Sequence, residues 1–430
     1  MNGGRLSHGL WEASAPPAAK THPLTERITV DVAIIGGGYT GSSAALHLAE
    51  AGASAAVLEA FDIGFGASGR NVGLVNAGMW VMPSVLLAEL GPSHGHRLLD
   101  ILSHGPSVVF DLVARHGIEC EAVHNGTLHC AVGKSGIAEL AERARQWLEL
   151  GAPVQVLDDQ RTLKLTGTRA YAASLLDHRA GTIQPLAYVR GLAAAAQRAG
   201  ARVHTQTRVT AAERVGSEWQ LATSSGGTVC AKWVIVATDA YTGSDGLWSG
   251  IQAEQVRLPY FNIATAPLPR ESAESILPER QGAWDTRQVL SSFRFDAAGR
   301  LVFGSVGALR GLGRKIHRDW AHRAVAKIFP QLKDVPFEHE WHGTIGMTSN
   351  ALPRFHELDH NVISFSGFNG RGIAPGTVFG RELAKLVLGE IRRDDLPVPV
   401  TQVAPAPWRN AKALGYEAGA QAFHLVDARI

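Results

Sequence analysis

Residues 28–60 read ITVDVAIIGGGYTGSSAALHLAEAGASAAVLEA, and within them strand, glycine loop, helix, strand and acid follow one another in that order. Ile28 to Ile35 is rich in β-branched residues, the mark of a strand buried on both faces. Gly36-Gly37-Gly38-Tyr39-Thr40-Gly41 matches the pattern GxGxxG. From Ser42 the apolar residues Ala45, Leu46, Leu48 and Ala49 take helical spacing until Gly52, and Ala55 to Leu58 reads as a second strand running into Glu59. Each part has a chemical use. Gly36 permits the tight turn, Gly38 lets backbone approach a pyrophosphate, and Gly41 lets the helix pack closely on the sheet. Tyr39 and Thr40 open the helix, whose N-terminus offers unpaired N–H groups and a positive dipole end to phosphates. Glu59 stands where an acid accepts ribose hydroxyls. The stretch predicts a dinucleotide site in an α/β unit.

The residues that follow bear on which dinucleotide. Residues 64–78, GFGASGRNVGLVNAG, stand where a nicotinamide-binding fold would begin another helix. Such a run of small residues lets extended backbone pass close to a flat ligand, which favours FAD over NAD. Ser68, Gly69, Arg70, Asn71, Val72, Gly73 and Leu74 are the candidates along it. Arg70 can bond a pyrophosphate or a flavin edge, and Asn71 offers both a donor and an acceptor.

A second glycine loop lies near the C-terminus, at residues 364–377, SFSGFNGRGIAPGT. Val362 to Ser366 reads as a strand, and Pro375 suits position N1 of a helix through Leu388. This second helix N-terminus can stabilise negative charge at a flavin's N1–C2=O edge, with Gly370, Arg371, Gly372 and Ile373 beside it. Between the two loops, Trp233 to Ala237 reads as a further strand, placing Ala237 and Thr238 at its carboxyl end, where open α/β sheets hold ligands. Arg208 and Val209 are placed against the adenine.

At 430 residues, with 45% hydrophobic and 19% charged residues, the chain is long enough for two domains. Its net charge of +2 and the lack of a basic block give no reason to expect nucleic acid as a partner. Three cysteines without CxxC spacing argue against a disulfide framework or a zinc site and fit a cytoplasmic protein. No apolar run reaches membrane-spanning length. Pairs such as His94/His96 and His356/His360 lack metal-ligand spacing with a plausible third ligand, so no metal is expected. The expected organisation is an N-terminal arm over 1–27, docked by Trp11; a cofactor domain over 28–95, 150–245 and 340–430; and a substrate domain over 96–149 and 246–339. The fold class is α/β plus α+β, a Rossmann-like domain with an inserted domain built on a largely antiparallel sheet.

The stretches DVAIIGGGYTGSSAALHLAEAG, GASGRNVGLV and SGFNGRGIAPGTVFGRELAKLV resemble the FAD-dependent glycine/D-amino-acid oxidase family of amine oxidoreductases. Among its subgroups the chain is most similar to bacterial L-pipecolate oxidases, through GRNVGLVNAGMW, NGTLHCA, LLDHRAGTIQP, GAWDTRQVLSS and FNGRG, and next to gamma-glutamylputrescine oxidases. The resemblance implies that the first loop holds the FAD pyrophosphate, that SGRNVG runs along the flavin, and that FNGRG lies at its N1–C2=O edge. Ala374 stands where the sarcosine oxidase branch has a carboxylate-binding Lys, so a substrate carboxylate would need Arg371 or Arg287. That branch bonds flavin to a Cys near this loop; no Cys follows Cys230, so FAD is expected to be non-covalent.

The implied reaction oxidises the C–N bond of an amino or imino acid by hydride transfer to flavin N5. Dioxygen, giving hydrogen peroxide, or a quinone then takes the electrons. Arg371 and Asn369 are the catalytic candidates; Arg287, Tyr260 and Trp284 are the substrate-binding ones. The alternatives are oxidation of gamma-glutamylated amines or another N-substituted amino acid, and a flavin-binding protein without turnover.

Overall fold

The computed structural model describes residues 7–243 and 246–427. Its first sheet has nine strands and is built around Arg27–Ile35, whose Val32, Ala33 and Ile34 are buried on both faces. That strand pairs in parallel with Ala55–Leu58 on one side and with Thr228–Val236 on the other. Arg202–His204 adds beyond the first neighbour and Val362–Ser366 beyond the second, both parallel. Parallel strands end at one edge of a sheet. Gly36, Glu59, Ala237 and Gly367, each just past a strand end, therefore become neighbours although more than three hundred positions separate the first from the last.

The second sheet has eight strands and is antiparallel except where Gly282–Asp285 pairs in parallel with Thr127–Cys130. Alternation divides its residues between two faces. Phe261, Ile263, Phe293 and Phe303 pack under the helix Gly311–Ile328, whose Trp320 is fully buried among them. Leu258, Tyr260, Ser292, Val306 and Ile345 take the opposite face, toward the first sheet.

The sheets divide the chain differently from the sequence-based boundaries at 150 and 340. Val154–Leu157 and Ser174–Asp177 were expected with the cofactor domain, but they pair antiparallel with each other, and the second of them with Thr127–Cys130, in the second sheet. Phe337–Met347 crosses the expected boundary and pairs along its length with Val256–Thr265. Pairing of this kind is long-range, and no shift in local composition marks it. The arm carries a short helix, Leu10–Ser14, with Trp11 fully buried; its residues 1–6 lie outside the described residues.

Candidate active site

A cavity of about 870 Å³ lies between the carboxyl edge of the first sheet and the open face of the second, a volume toward the upper end for ligand sites. Both glycine loops open onto it because their helices touch. The helix Tyr39–Glu50 follows the first loop and Ile373–Leu388 the second. A Cβ on Gly380 would lie 2.4 Å from the Thr40 carbonyl, and one on Gly376 would lie 3.1 Å from Tyr39 Cβ. The Ser43 hydroxyl donates to the Thr377 carbonyl at 2.6 Å, completing the crossing. Gly38 and Gly372 at the N-caps offer no capping side chain, although Tyr39 N donates to Ser68 Oγ at 3.1 Å, and two positive dipole ends converge on the cavity. The second helix begins at Ile373, two residues before the expected start, with Pro375 still inside its first turn.

Around the first loop, Gly36, Gly38, Tyr39, Thr40 and Glu59 line the cavity, whereas Gly41 shapes it from behind. A Cβ on Gly41 would stand 2.0 Å from the Gly36 carbonyl, and Gly36 itself has φ 105°, a value side chains rarely adopt. The Glu59 carboxylate accepts from Gly37 N at 2.7 Å and Phe61 N at 2.9 Å, and burial pushes its pKa up. Val209, Ala237 and Thr238 line the same end, with Arg208 held over the Phe61 ring at 5.3 Å.

Ser68, Arg70, Asn71, Val72 and Leu74 line the middle. Gly69 and Gly73 do not; they let this segment pass close to other backbone, since a Cβ would lie 2.3 Å from the Gly64 carbonyl or 2.1 Å from the Ile183 carbonyl. Arg70 was expected to bond a pyrophosphate or flavin edge. Its guanidinium instead donates to the Phe65 carbonyl at 2.8 Å and the Ser7 carbonyl at 2.6 Å, tying loop and arm together. Asn71 spends its amide on Tyr39 Oη and on the Ala67 and Ser68 carbonyls, and its side-chain oxygen on Gly73 N.

At the far end the residues Asn369, Gly370, Gly372 and Ile373 line the cavity together with Tyr260 and Trp284. The Tyr260 hydroxyl pairs with Ser292 Oγ at 2.6 Å, and burial pushes the phenol pKa up, so it stays protonated. Trp284 meets Trp80 edge-to-face at 4.9 Å, forming an aromatic wall, with His129 stacked on its other side at 3.3 Å.

Three further expected roles need correction. Asn369 does not reach out with its amide: its side-chain oxygen accepts from Thr348 N at 2.8 Å and its NH₂ donates to the Gly367 carbonyl at 2.5 Å, so it holds the loop. Arg371 is buried behind the wall, its guanidinium 4.9 Å from the Trp80 ring and 5.1 Å from the Trp284 ring. Its side chain donates to the Ala77 carbonyl at 2.7 Å, and burial, with Arg143 nearby, holds its pKa down to about 9. Arg287 lies outside the cavity, paired with Asp427 at 3.0 Å, because the turn after Asp285 carries it toward the C-terminal helix.

Sequence reasoning passed over Trp80 and Asp239. Half-buried Asp239 accepts from Gly367 N and from Gln255 Nε2, both at 2.8 Å, and so anchors the second loop to the end of the strand Thr228–Val236. An acid just after Ala237-Thr238 was the one signal available. For Trp80, the aromatic following the Gly64–Gly78 run could have suggested a wall.

The residues present suit FAD: two helix N-termini for phosphates, a glycine cradle that a Cβ would fill, an acid at the second strand's end, and a roomy cavity beyond. Comparisons with known proteins agree. Residues 31–386 match the family model described as DAO, FAD dependent oxidoreductase. The chain is 34% identical over 391 residues to gamma-glutamylputrescine oxidoreductase of Escherichia coli (strain K12), covering 90% of each. Among solved structures it is similar in fold to glycine oxidase from Geobacillus kaustophilus, with TM-score 0.66, 22% identity and 86% and 96% of the two chains covered. It is similar also to L-proline dehydrogenase from P. horikoshii, with TM-score 0.70, 17% identity and 87% and 97% covered. The chain belongs to the DAO family of FAD-dependent oxidoreductases.

Proposed function

We propose that the protein oxidises an aliphatic amine whose reacting carbon carries no carboxylate, as at the free end of a gamma-glutamylated diamine, and passes the electrons to dioxygen with release of hydrogen peroxide. The observation that carries this reading is the charge of the cavity wall. Around Trp80, Leu258, Tyr260, Trp284 and Ile345 no Lys or Arg lines it among the described residues. The two lining arginines are engaged elsewhere, Arg70 with the Phe65 and Ser7 carbonyls and Arg208 over Phe61. An amino acid oxidised at its α-carbon would bring a carboxylate to this wall with no partner. The likeness to the Escherichia coli gamma-glutamylputrescine oxidoreductase supports the same reading.

Bound FAD supplies the acceptor for the hydride. In this reading Gly36, Gly38 and the N-terminus of the first helix hold its pyrophosphate, and Glu59 holds the ribose. Val209 lies by the adenine, and Gly370 to Ile373 face the pyrimidine edge. Trp80 and Trp284 exclude water and orient the substrate's chain, while the Tyr260–Ser292 hydroxyl pair offers the amine nitrogen a neutral partner. An apolar wall with the Arg371 charge behind it favours the uncharged amine, the form from which hydride leaves.

A second reading is the oxidation of a cyclic imino acid such as L-pipecolate. Its support is Arg371 itself, a buried guanidinium held by a neutral carbonyl, which could take a carboxylate were the Trp80–Trp284 pair to part. Peroxide release across a panel of gamma-glutamylated diamines, free diamines, L-pipecolate and N-methyl amino acids separates the two. Faster turnover of the amines whose reacting carbon bears no carboxylate is expected, and L-pipecolate as the best substrate would overturn the first reading. If no amine bleaches the flavin anaerobically, both fail and a non-catalytic flavoprotein remains.

A further inference from the structure

The N-terminal arm is bolted to the segment that lines the middle of the cavity. The Trp11 indole N–H donates to the Asn71 carbonyl at 2.9 Å. The Trp341 indole N–H and the Asn262 amide both donate to the preceding carbonyl, Arg70, at 3.0 Å. Trp11 is fully buried, edge-on to Trp341 at 5.3 Å, and its own carbonyl accepts from Gln184 Nε2 at 2.9 Å. Neither indole lines the cavity.

A trans peptide is planar, with its C=O and N–H pointing opposite ways. Where the Arg70 carbonyl is held, the N–H across that peptide belongs to Asn71 and donates to the Ala67 carbonyl at 3.2 Å, so this unit is closed within the loop. The next peptide differs. Its carbonyl faces Trp11, so the N–H of Val72 faces away from Trp11. Val72 lines the cavity, and its N–H donates to no acceptor among the described residues. A backbone donor in such a place is normally paired, and here its partner has to come from the cavity.

We propose that Trp11 is a positioning residue of the cofactor site: by holding the Asn71 carbonyl it turns the Val72 N–H into the cavity, where it donates to an acceptor on the flavin ring of FAD. The inference holds whichever amine is the substrate.

Trp11→Phe tests it. Phenylalanine keeps a ring against Trp341 and beneath the Arg294 guanidinium, 5.4 Å from the present indole, but has no N–H. Titration of the apoprotein with FAD, followed by flavin fluorescence, is expected to show a dissociation constant raised about threefold to tenfold, the worth of one hydrogen bond. The visible bands of the bound flavin shift as well. Trp341→Phe removes a similar bond from the Arg70 carbonyl, whose peptide N–H is already paired, and should leave the spectrum unchanged and the affinity within about twofold. Equal effects of the two variants, or none from Trp11→Phe, overturn the proposal. Hydrogen exchange at the Val72 amide of the unmodified protein gives an independent reading: FAD should slow it at least about tenfold, and equal exchange with and without FAD overturns the proposal even if a variant fails to fold.

Discussion

Replacing Arg371 by Met should leave the fold standing and slow the chemistry. The stability side follows from burial. Holding the guanidinium pKa down to about 9 implies a charging cost of roughly 5 kcal/mol at neutral pH. The penalty is complete below pH 9, where both the folded and unfolded forms are charged, and is relieved only as pH rises from there toward the ordinary arginine value. Against it stand a hydrogen bond to the Ala77 carbonyl and contacts with two indole rings, together worth about 3–6 kcal/mol. These terms nearly cancel. Methionine keeps the unbranched stem, so the apoprotein's thermal midpoint should move by no more than about 4 °C in either direction.

The catalytic side follows from distance. The guanidinium carbon stands 4.9 Å from the Trp80 ring centre, and a group touching the ring's far face lies roughly 3.5 Å beyond. Across about 8.4 Å, at an effective dielectric constant near 20, one charge is worth about 2 kcal/mol. That corresponds to about thirtyfold in the rate at which negative charge can be delivered to the cofactor. Anaerobic stopped-flow bleaching of the flavin by a saturating amine measures it. An unchanged reduction rate would refute the electrostatic role, and a stability loss above about 3 kcal/mol would show that the arginine is structural instead.

Other outcomes follow from the same geometry. Gly41→Ala puts a Cβ 2.0 Å from the Gly36 carbonyl, so loop and helix must separate by more than about 1 Å; FAD affinity should fall at least about tenfold, and normal flavin content on purification would contradict this. Asp285 is buried, and burial holds its pKa up to about 6 against an ordinary 3.8, so its contribution to stability declines as pH rises through that window. Asp285→Asn keeps an acceptor for the Arg287 and Ser291 N–H groups and should raise the thermal midpoint at pH 8 relative to pH 4, by the equivalent of about 3 kcal/mol; a gain equal at both pH values would exclude the carboxyl as its source. Arg287→Ala should leave the apparent substrate constant within about twofold, since the pair it breaks is with Asp427; faster proteolysis near the C-terminal helix is expected, and a large rise in that constant would return Arg287 to the site.

Local order carried far in this protein. The strand, glycine turn and helix of residues 28–60 could be recognised because each is set by neighbours within a few positions, and the strand Ala55–Leu58 lies where the spacing placed it. Even the partnership of the two glycine loops could be anticipated, because each repeats the same local pattern. The strands Val154–Leu157 and Ser174–Asp177 could not be assigned to their sheet, since which strand such a pair joins is chosen by long-range registry.

Side-chain direction was the other gap. Sequence by itself determined the class of cofactor, the backbone that cradles it and the presence of aromatic and cationic residues near the second loop. Only the tertiary structure decided that Arg371 stands behind Trp80 and Trp284 instead of before them, that Asn369 is spent on Thr348 and Gly367, and that Arg287 turns to Asp427. A glycine motif is encoded by what its own backbone can do. Where a long polar side chain points depends on which distant groups leave it a partner and which leave it none, and no window of sequence contains those groups.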